Sequence, residues 1–196
     1  MTNFDTSQHI ILENERIKLR PLIEDDYNNL RPIAHQNPEL LQFSPQQVNT
    51  DEKLQTYIQK ALQQKAEGSR YPFISFDKKQ QEYSGSTSYL NISNTNARLE
   101  IGATWIGKEF QGTGLNKQQK LLMLTHAFET IGMQRVELKT DARNLQSQRA
   151  MEKIGAIKEG SLRSHTLMED GFRRHTVYFS ILIDEWPEVK SRIFGF

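Results

Sequence analysis

Residues 98–140 read RLEIGATWIGKEFQGTGLNKQQKLLMLTHAFETIGMQRVELKT, and a change of period inside this stretch decides the fold. From Arg98 to Ile106 the residues alternate: Leu99, Ile101, Ala103 and Trp105 point one way, Glu100, Gly102, Thr104 and Ile106 the other, which predicts a strand. After a turn from Gly107 to Gly114, Leu121, Leu124, Phe128 and Ile131 recur at spacings of three and four, the pattern of an amphipathic helix that Gly132 closes. Arg135 to Thr140 is strand-like again. A strand-helix-strand unit of this length brings its two strands together in parallel.

Outward from this unit, Arg16 to Arg20 reads as a first strand that Pro21 ends, and Glu24, Asp25 and Asp26 open a short helix with charges suited to its N-terminal dipole. Thr50 to Ala66 carries Leu54, Ile58, Ala61 and Leu62 at helical spacing. Tyr71 to Phe76 and Glu82 to Asn91 are strands joined by a polar hairpin. Ser147 to Ile154 is a short helix ended by Gly155, followed by strands at Ala156 to Leu162 and Thr176 to Ile183. No stretch resembles a linker or a repeat, so a single mixed α/β domain over 1–196, with its core at about 11–186, is the expectation.

The 196 residues carry 25 Lys+Arg against 24 Asp+Glu, a formal charge of +1. That balance argues against nucleic acid or anionic membrane as partners, which call for a basic excess on one face. The one local basic cluster, Arg163, Arg173, Arg174 and His175, is interrupted by Glu169 and Asp170. The absence of Cys removes thiol nucleophiles, zinc-cysteine sites and disulfides, and makes a reducing, cytoplasmic setting the expectation. Met1 to His9 is polar and no run approaches the ~18 apolar residues of a membrane span. None of the five His forms a pair at metal-ligand spacing, so no metal is expected.

Gln111-Gly112-Thr113-Gly114-Leu115-Asn116 lies where a strand ends and a helix begins. Glycines there let successive backbone N–H groups converge, and the helix dipole adds about half a positive charge, so the position suits a phosphate. A plain strand-to-helix turn would give the same hexad. Gly102 to Glu109 misses a Walker loop because Glu109 replaces the hydroxyl that holds magnesium, and Lys117 stands where a dinucleotide fingerprint needs its third glycine.

Leu99-Glu100-Ile101-Gly102, Trp105-Ile106, Gln111 to Gly114, Arg135 to Leu138, Asn144-x-x-Ser147 and Glu152 to Ala156 with Glu159-Gly160, in this order and spacing, resemble the GNAT superfamily of N-acetyltransferases. The branch of ribosomal-protein N-terminal serine/alanine acetyltransferases is the most similar. The resemblance runs from about Ile11 to Trp186. It implies a largely antiparallel twisted sheet with a splayed central parallel pair flanked by helices, acetyl-CoA as co-substrate and a primary amine as acceptor; it leaves the oligomeric state open, a homodimer being common in that family. It carries the Q/R-x-x-G-x-G/A motif onto Gln111, Gly114 and Asn116, with the backbone of Gly112, Thr113, Gly114, Leu115 and Asn116 on the pyrophosphate. Asn116 departs from the usual Gly or Ala, and a small polar residue there can cap a helix instead. Ile106 and its neighbours on one side, and Thr140 to Asn144 on the other, are the implied backbone partners of pantetheine. Asn144 reads either as a pantetheine contact or as the N-cap of the following helix.

Aminolysis of a thioester needs a neutral amine, support for a carbonyl oxyanion and a proton for the leaving thiolate. Near pH 7 an α-amine is roughly 10–15% neutral and a lysine about 0.04%, a difference of roughly 3.4 kcal/mol that only a lysine-modifying enzyme must supply. Many family members place a Tyr seven residues after the Asn; here that position is Met151, which donates nothing. Ser147, one turn earlier on the same face, matches a Ser that the resembled branch sets beside the sulfur. Glu100 is the candidate for positioning or deprotonating the amine, with a structural ion pair as the other reading. Thr166 stands where some members of the branch have a second Glu, and the adjacent His165 is the other candidate on the acceptor side. The acceptor pocket is expected from the 23–48 region and a 163–175 loop. A non-catalytic acyl-CoA-binding protein is the alternative function, with Met151 and Thr166 as traces of lost chemistry.

Overall fold

The computed structural model describes residues 4–196, so Met1 to Asn3 of the polar N-terminal stretch lie outside the described residues. The elements run β1 (Leu12–Glu13), β2 (Ile17–Pro21), α1 (Tyr27–Gln36), α2 (Asp51–Ala66), β3 (Arg70–Asp77), β4 (Glu82–Ser93), β5 (Arg98–Ile106), α3 (Leu115–Thr125), β6 (Arg135–Asp141), α4 (Leu145–Lys153), β7 (Ile157–Leu167), β8 (Arg173–Leu182) and α5 (Trp186–Val189). A π-helical turn, His126–Ile131, prolongs α3 to Gly132, whose φ of 80° ends it. Thr50 caps α2 by accepting from the Lys53 N–H, which contributes about 1 kcal/mol.

One eight-stranded sheet has the order β1-β2-β3-β4-β5-β6-β8-β7. Every pairing is antiparallel except β5 with β6. That parallel contact covers only Arg98↔Arg135, Leu99↔Val136 and Glu100↔Glu137. Beyond it β5 continues to Ile106, still paired with β4, and β6 continues to Asp141, still paired with β8. The two strands therefore open into a V whose inner edges carry backbone N–H and C=O groups turned toward the gap.

Each face of the sheet has its own apolar layer. Tyr71, Phe73, Tyr89, Leu99, Ile101, Val136 and Phe179 pack against Leu121, Leu124 and Phe128 of the α3 segment. On the other face Ile74 and Trp105 pack against Leu30 and Ile33 of α1 and Leu54, Tyr57 and Ile58 of α2. Trp105 thus does not share a face with Leu99, contrary to the simple alternation. The register Ser86↔Trp105 and Ser88↔Gly102 leaves Ala103 and Thr104 together opposite Thr87, and Ala103 takes φ +46°. This bulge shifts the side-chain parity by one, sending Trp105 toward Tyr57 and Ile106 into the α3 layer.

The expected 163–175 loop is instead a hairpin, with β7 reaching Leu167 and β8 starting at Arg173. A second bulge, with Ser164 at φ +52°, interrupts the pairing between Leu162 and Thr166 and with it the period-two signal in the sequence. No helix among the described residues is long and apolar enough to cross a membrane.

Candidate active site at the splayed strands

The hexad sits at one end of the V. Gly112 and Gly114 hold left-handed φ values of 75° and 85°, and a Cβ on either would meet nothing within 4 Å, so both face open space. Gly114 is the N-cap of α3 and supplies no side-chain cap, so the first N–H groups of the helix have no intrahelical acceptor. The Leu115 N–H makes a 3.4 Å contact to Thr113 Oγ1, whose hydroxyl donates to the Phe110 carbonyl at 2.7 Å. Gln111 stays exposed and donates from Nε2 to the Ile106 carbonyl at 3.0 Å, fixing the loop to the end of β5. The donor set fits the anionic end of coenzyme A: convergent amides, a helix dipole and no acidic side chain in the first turn. Asn116 does not act as a cap; its Oδ1 is buried without a partner among the described residues.

Asn144 is the N-cap of α4, its Oδ1 accepting from the Ser147 N–H at 2.9 Å, which realises the capping reading. Ser147 is half-buried on the first turn of α4, at the other limb of the V, and Met151 one turn later packs against the core.

Glu100 lies at the last pair of the parallel contact, on the face opposite Leu99 and Ile101, and is 2% exposed. Lys139 Nζ is 2.8 Å and Asn91 Nδ2 2.7 Å from its Oε2. The ion pair is therefore present, and Oε1 lies over Gly102, 2.6 Å from where a Cβ on that residue would sit. Around the same corner stand Tyr178, its ring 5.9 Å from Lys139 Nζ, and Arg174, which is 6% exposed and donates to the Phe43 carbonyl and to Thr176 Oγ1. Burial pushes the Arg174 guanidinium down, while Asp141 and Glu100 act in the opposite sense. Burial works against the Asp141 carboxylate, yet hydrogen bonds from Arg143 hold it below its usual range. Arg143 lies 3.9 Å over the Phe172 ring.

His165 is exposed, with Nδ1 3.1 Å from Thr176 Oγ1 and 3.3 Å from Thr166 Oγ1. Both residues thus sit on the β7–β8 hairpin. Gln47 and Lys53 bond Glu169 at the tip of that hairpin, tying the segment before α2 to it across the cleft. The sequence reading missed Lys139, Tyr178, Arg174 and Asn91. Their signal was faint: polar residues at alternate positions of β4, β6 and β8 read as a solvated face.

The family model for the acetyltransferase (GNAT) domain matches residues 16–157. The chain belongs to this acetyltransferase family. Among GNAT relatives, "Putative ribosomal N-acetyltransferase YdaF" of Bacillus subtilis is 35% identical over 106 residues, 54% of this chain and 57% of that protein, so the match spans little more than half of that relative. The ribosomal-protein-serine acetyltransferase of Escherichia coli is 26% identical over 86% of this chain and 94% of its own length. A crystal structure from T. thermophilus, described as a "putative acetyltransferase", superposes with a TM-score of 0.84 at 34% identity, covering 94% of this chain and 95% of that one. The GNAT fold, with its sheet opened between β5 and β6, and acetyl transfer as the general activity follow from this membership.

Proposed function

We propose that this chain is an acetyl-CoA-dependent N-acetyltransferase acting on a primary amine, and that the amine is the α-amine of a protein or peptide N-terminus. The observation that carries the reading is the V between β5 and β6, with the uncapped start of α3 at one limb and Ser147 at the other. When bound, the co-substrate supplies an activated acetyl thioester. Amides of residues 112–116 would hold its diphosphate, and the inner edges of β5 and β6 would pair with its arm as an added strand.

The amine enters from the α1–α2 face, where Glu100 Oε1 accepts a hydrogen bond from it and orients its lone pair. A carboxylate held in place by Lys139 positions the amine, which suffices for an α-amine already partly neutral near pH 7 and falls short for lysine. Ser147 Oγ donates toward the departing sulfur and disperses its charge. The names of the ribosomal-protein relatives support a protein acceptor. The segment before α2 and the β7–β8 hairpin would frame it.

The test is CoA release from acetyl-CoA across a panel of N-terminal peptides, lysine peptides and small amines, with Ser147→Ala and Glu100→Gln as controls. Turnover with an α-amine, reduced in both variants, is the expected result. Acetyl-CoA binding without turnover on any amine would make the chain a binding protein instead. If neither variant changes kcat/KM by more than about twofold, the two residues have been given the wrong roles.

A further inference from the structure

Helix α3 turns Leu115, Met123 and Leu124 to the sheet, and on its inner side it also carries three polar residues, Asn116, the fully buried Gln119, and Lys120, of which Asn116 and Lys120 stand one turn apart. Neither is used by the fold in the way such residues usually are. Asn116 Oδ1 is buried and has no hydrogen-bond partner among the described residues. Lys120 is 6% exposed, yet no carboxylate among the described residues meets it; its Nζ reaches Thr104 Oγ1 at 3.0 Å, and Thr104 in turn meets Thr87 Oγ1 at 2.7 Å. Burial alone pushes this amine down to about 7, and no charged group from α3, β4 or β5 enters the balance.

The place of the pair gives it a meaning. Thr104 belongs to the bulge, in the part of β5 that has already left β6, so Lys120 reaches the limb of the V along which an inserted arm would run. Asn116 sits in the first turn of α3, beside the anion-binding loop. One residue offers an unmatched acceptor, the other an amine with N–H groups beyond the one given to Thr104. Their joint complement is a group with one donor and one acceptor, a secondary amide. A diphosphate, which is all acceptor, would leave Asn116 Oδ1 unmatched.

We propose that Asn116 and Lys120 together hold a secondary amide of the acyl carrier's arm, Asn116 Oδ1 accepting from its N–H and Lys120 Nζ donating to its carbonyl oxygen. The inference rests on the acetyl-CoA reading above. It adds a side-chain contact from α3 to the backbone pairing expected from the strand edges. It also accounts for a polar Asn where the resembled motif has Gly or Ala.

Calorimetric titration with CoA and with ADP, which carries a diphosphate but no arm, tests it on wild type, Lys120→Met and Asn116→Ala. The expected result is CoA affinity about tenfold weaker in Lys120→Met and several-fold weaker in Asn116→Ala, with ADP affinity changed by less than about twofold. The wild-type advantage over Lys120→Met should also shrink between about pH 6 and about pH 9, as the ammonium loses its proton. Equal weakening toward both ligands would place Lys120 on the diphosphate and overturn the proposal, as would unchanged CoA affinity in both variants. Wild type that binds ADP and CoA equally, or neither, would instead remove the acetyl-CoA reading and this contact with it. Thermal unfolding of each variant confirms that it is folded, and Lys120→Gln serves if Lys120→Met does not fold.

Discussion

Lys139 Nζ and Glu100 Oε2 lie 2.8 Å apart where β5 and β6 diverge, Glu100 in the last parallel pair and Lys139 two residues beyond its partner Glu137, so the ion pair stands at the apex of the V. Its two members have different consequences. Glu100→Gln keeps the shape but removes the charge, and kcat/KM for an α-amine should fall about 10- to 100-fold while CoA affinity stays within about twofold. Lys139→Met keeps the carboxylate and removes only the cation that fixes it, so kcat/KM should fall less than in Glu100→Gln, again with CoA affinity within about twofold. Activity lost in Lys139→Met but kept in Glu100→Gln would make Glu100 a purely structural residue.

Gly114 combines a φ of 85° with open space at the position of a Cβ. Gly114→Ala meets no steric obstacle but must hold a left-handed conformation, at a cost of about 1–2 kcal/mol. Because the same backbone aims the first amides of α3, CoA and ADP affinity should fall together by about tenfold. Calorimetry reads the binding and thermal unfolding reads the strain. A loss confined to stability would detach this loop from the diphosphate.

Asn144 and Ser147 share one cap but differ in role. Asn144→Ala should lower stability by about 1 kcal/mol, visible as a lower Tm, because α4 loses its N-cap. Ser147→Ala keeps the backbone N–H that Asn144 receives, so its Tm should hold while kcat drops about tenfold through the loss of one hydrogen bond at the sulfur. Equal Tm losses in the two variants would mean that Ser147 acts through the helix.

Where the sequence was legible, one physical period governed one element. The 3.6-residue repeat of Leu121, Leu124 and Phe128, and the left-handed glycines at 112, 114 and 132, needed no tertiary information. The reading failed where a single residue broke the period. The bulge at Ala103 reversed the side-chain parity of β5, and the one at Ser164 hid the pairing of β7 with β8. Half of the candidate site came with the hexad and the Asn144–Ser147 spacing. The acceptor side did not, because Lys139, Arg174 and Tyr178 come from strands far apart in the chain and meet only through the sheet order β5-β6-β8.

The stability of the α3 layer should carry a pH signature of its own. His126 stacks on Tyr89 at 6.0 Å and edges toward Phe4, and burial pushes its pKa from 6.5 down to about 4. The folded state therefore favours the neutral ring, while the unfolded chain takes up a proton below about 6.5. Stability from this group is complete above that pH and is lost as pH falls from about 6.5 to about 4. The full shift corresponds to about 3 kcal/mol, and the half-buried setting reduces this to about 1–2 kcal/mol. Carboxylates such as Glu129 and Glu159, held below their ordinary value of 4.5 by Lys190 and Arg135, begin to weaken the fold only as pH falls below about 4.5, so most of the His126 window lies above theirs. Denaturant unfolding at a series of pH values should show the loss above about pH 4 in the wild type and its disappearance in His126→Phe. An identical slope in both proteins would assign the proton uptake to another group.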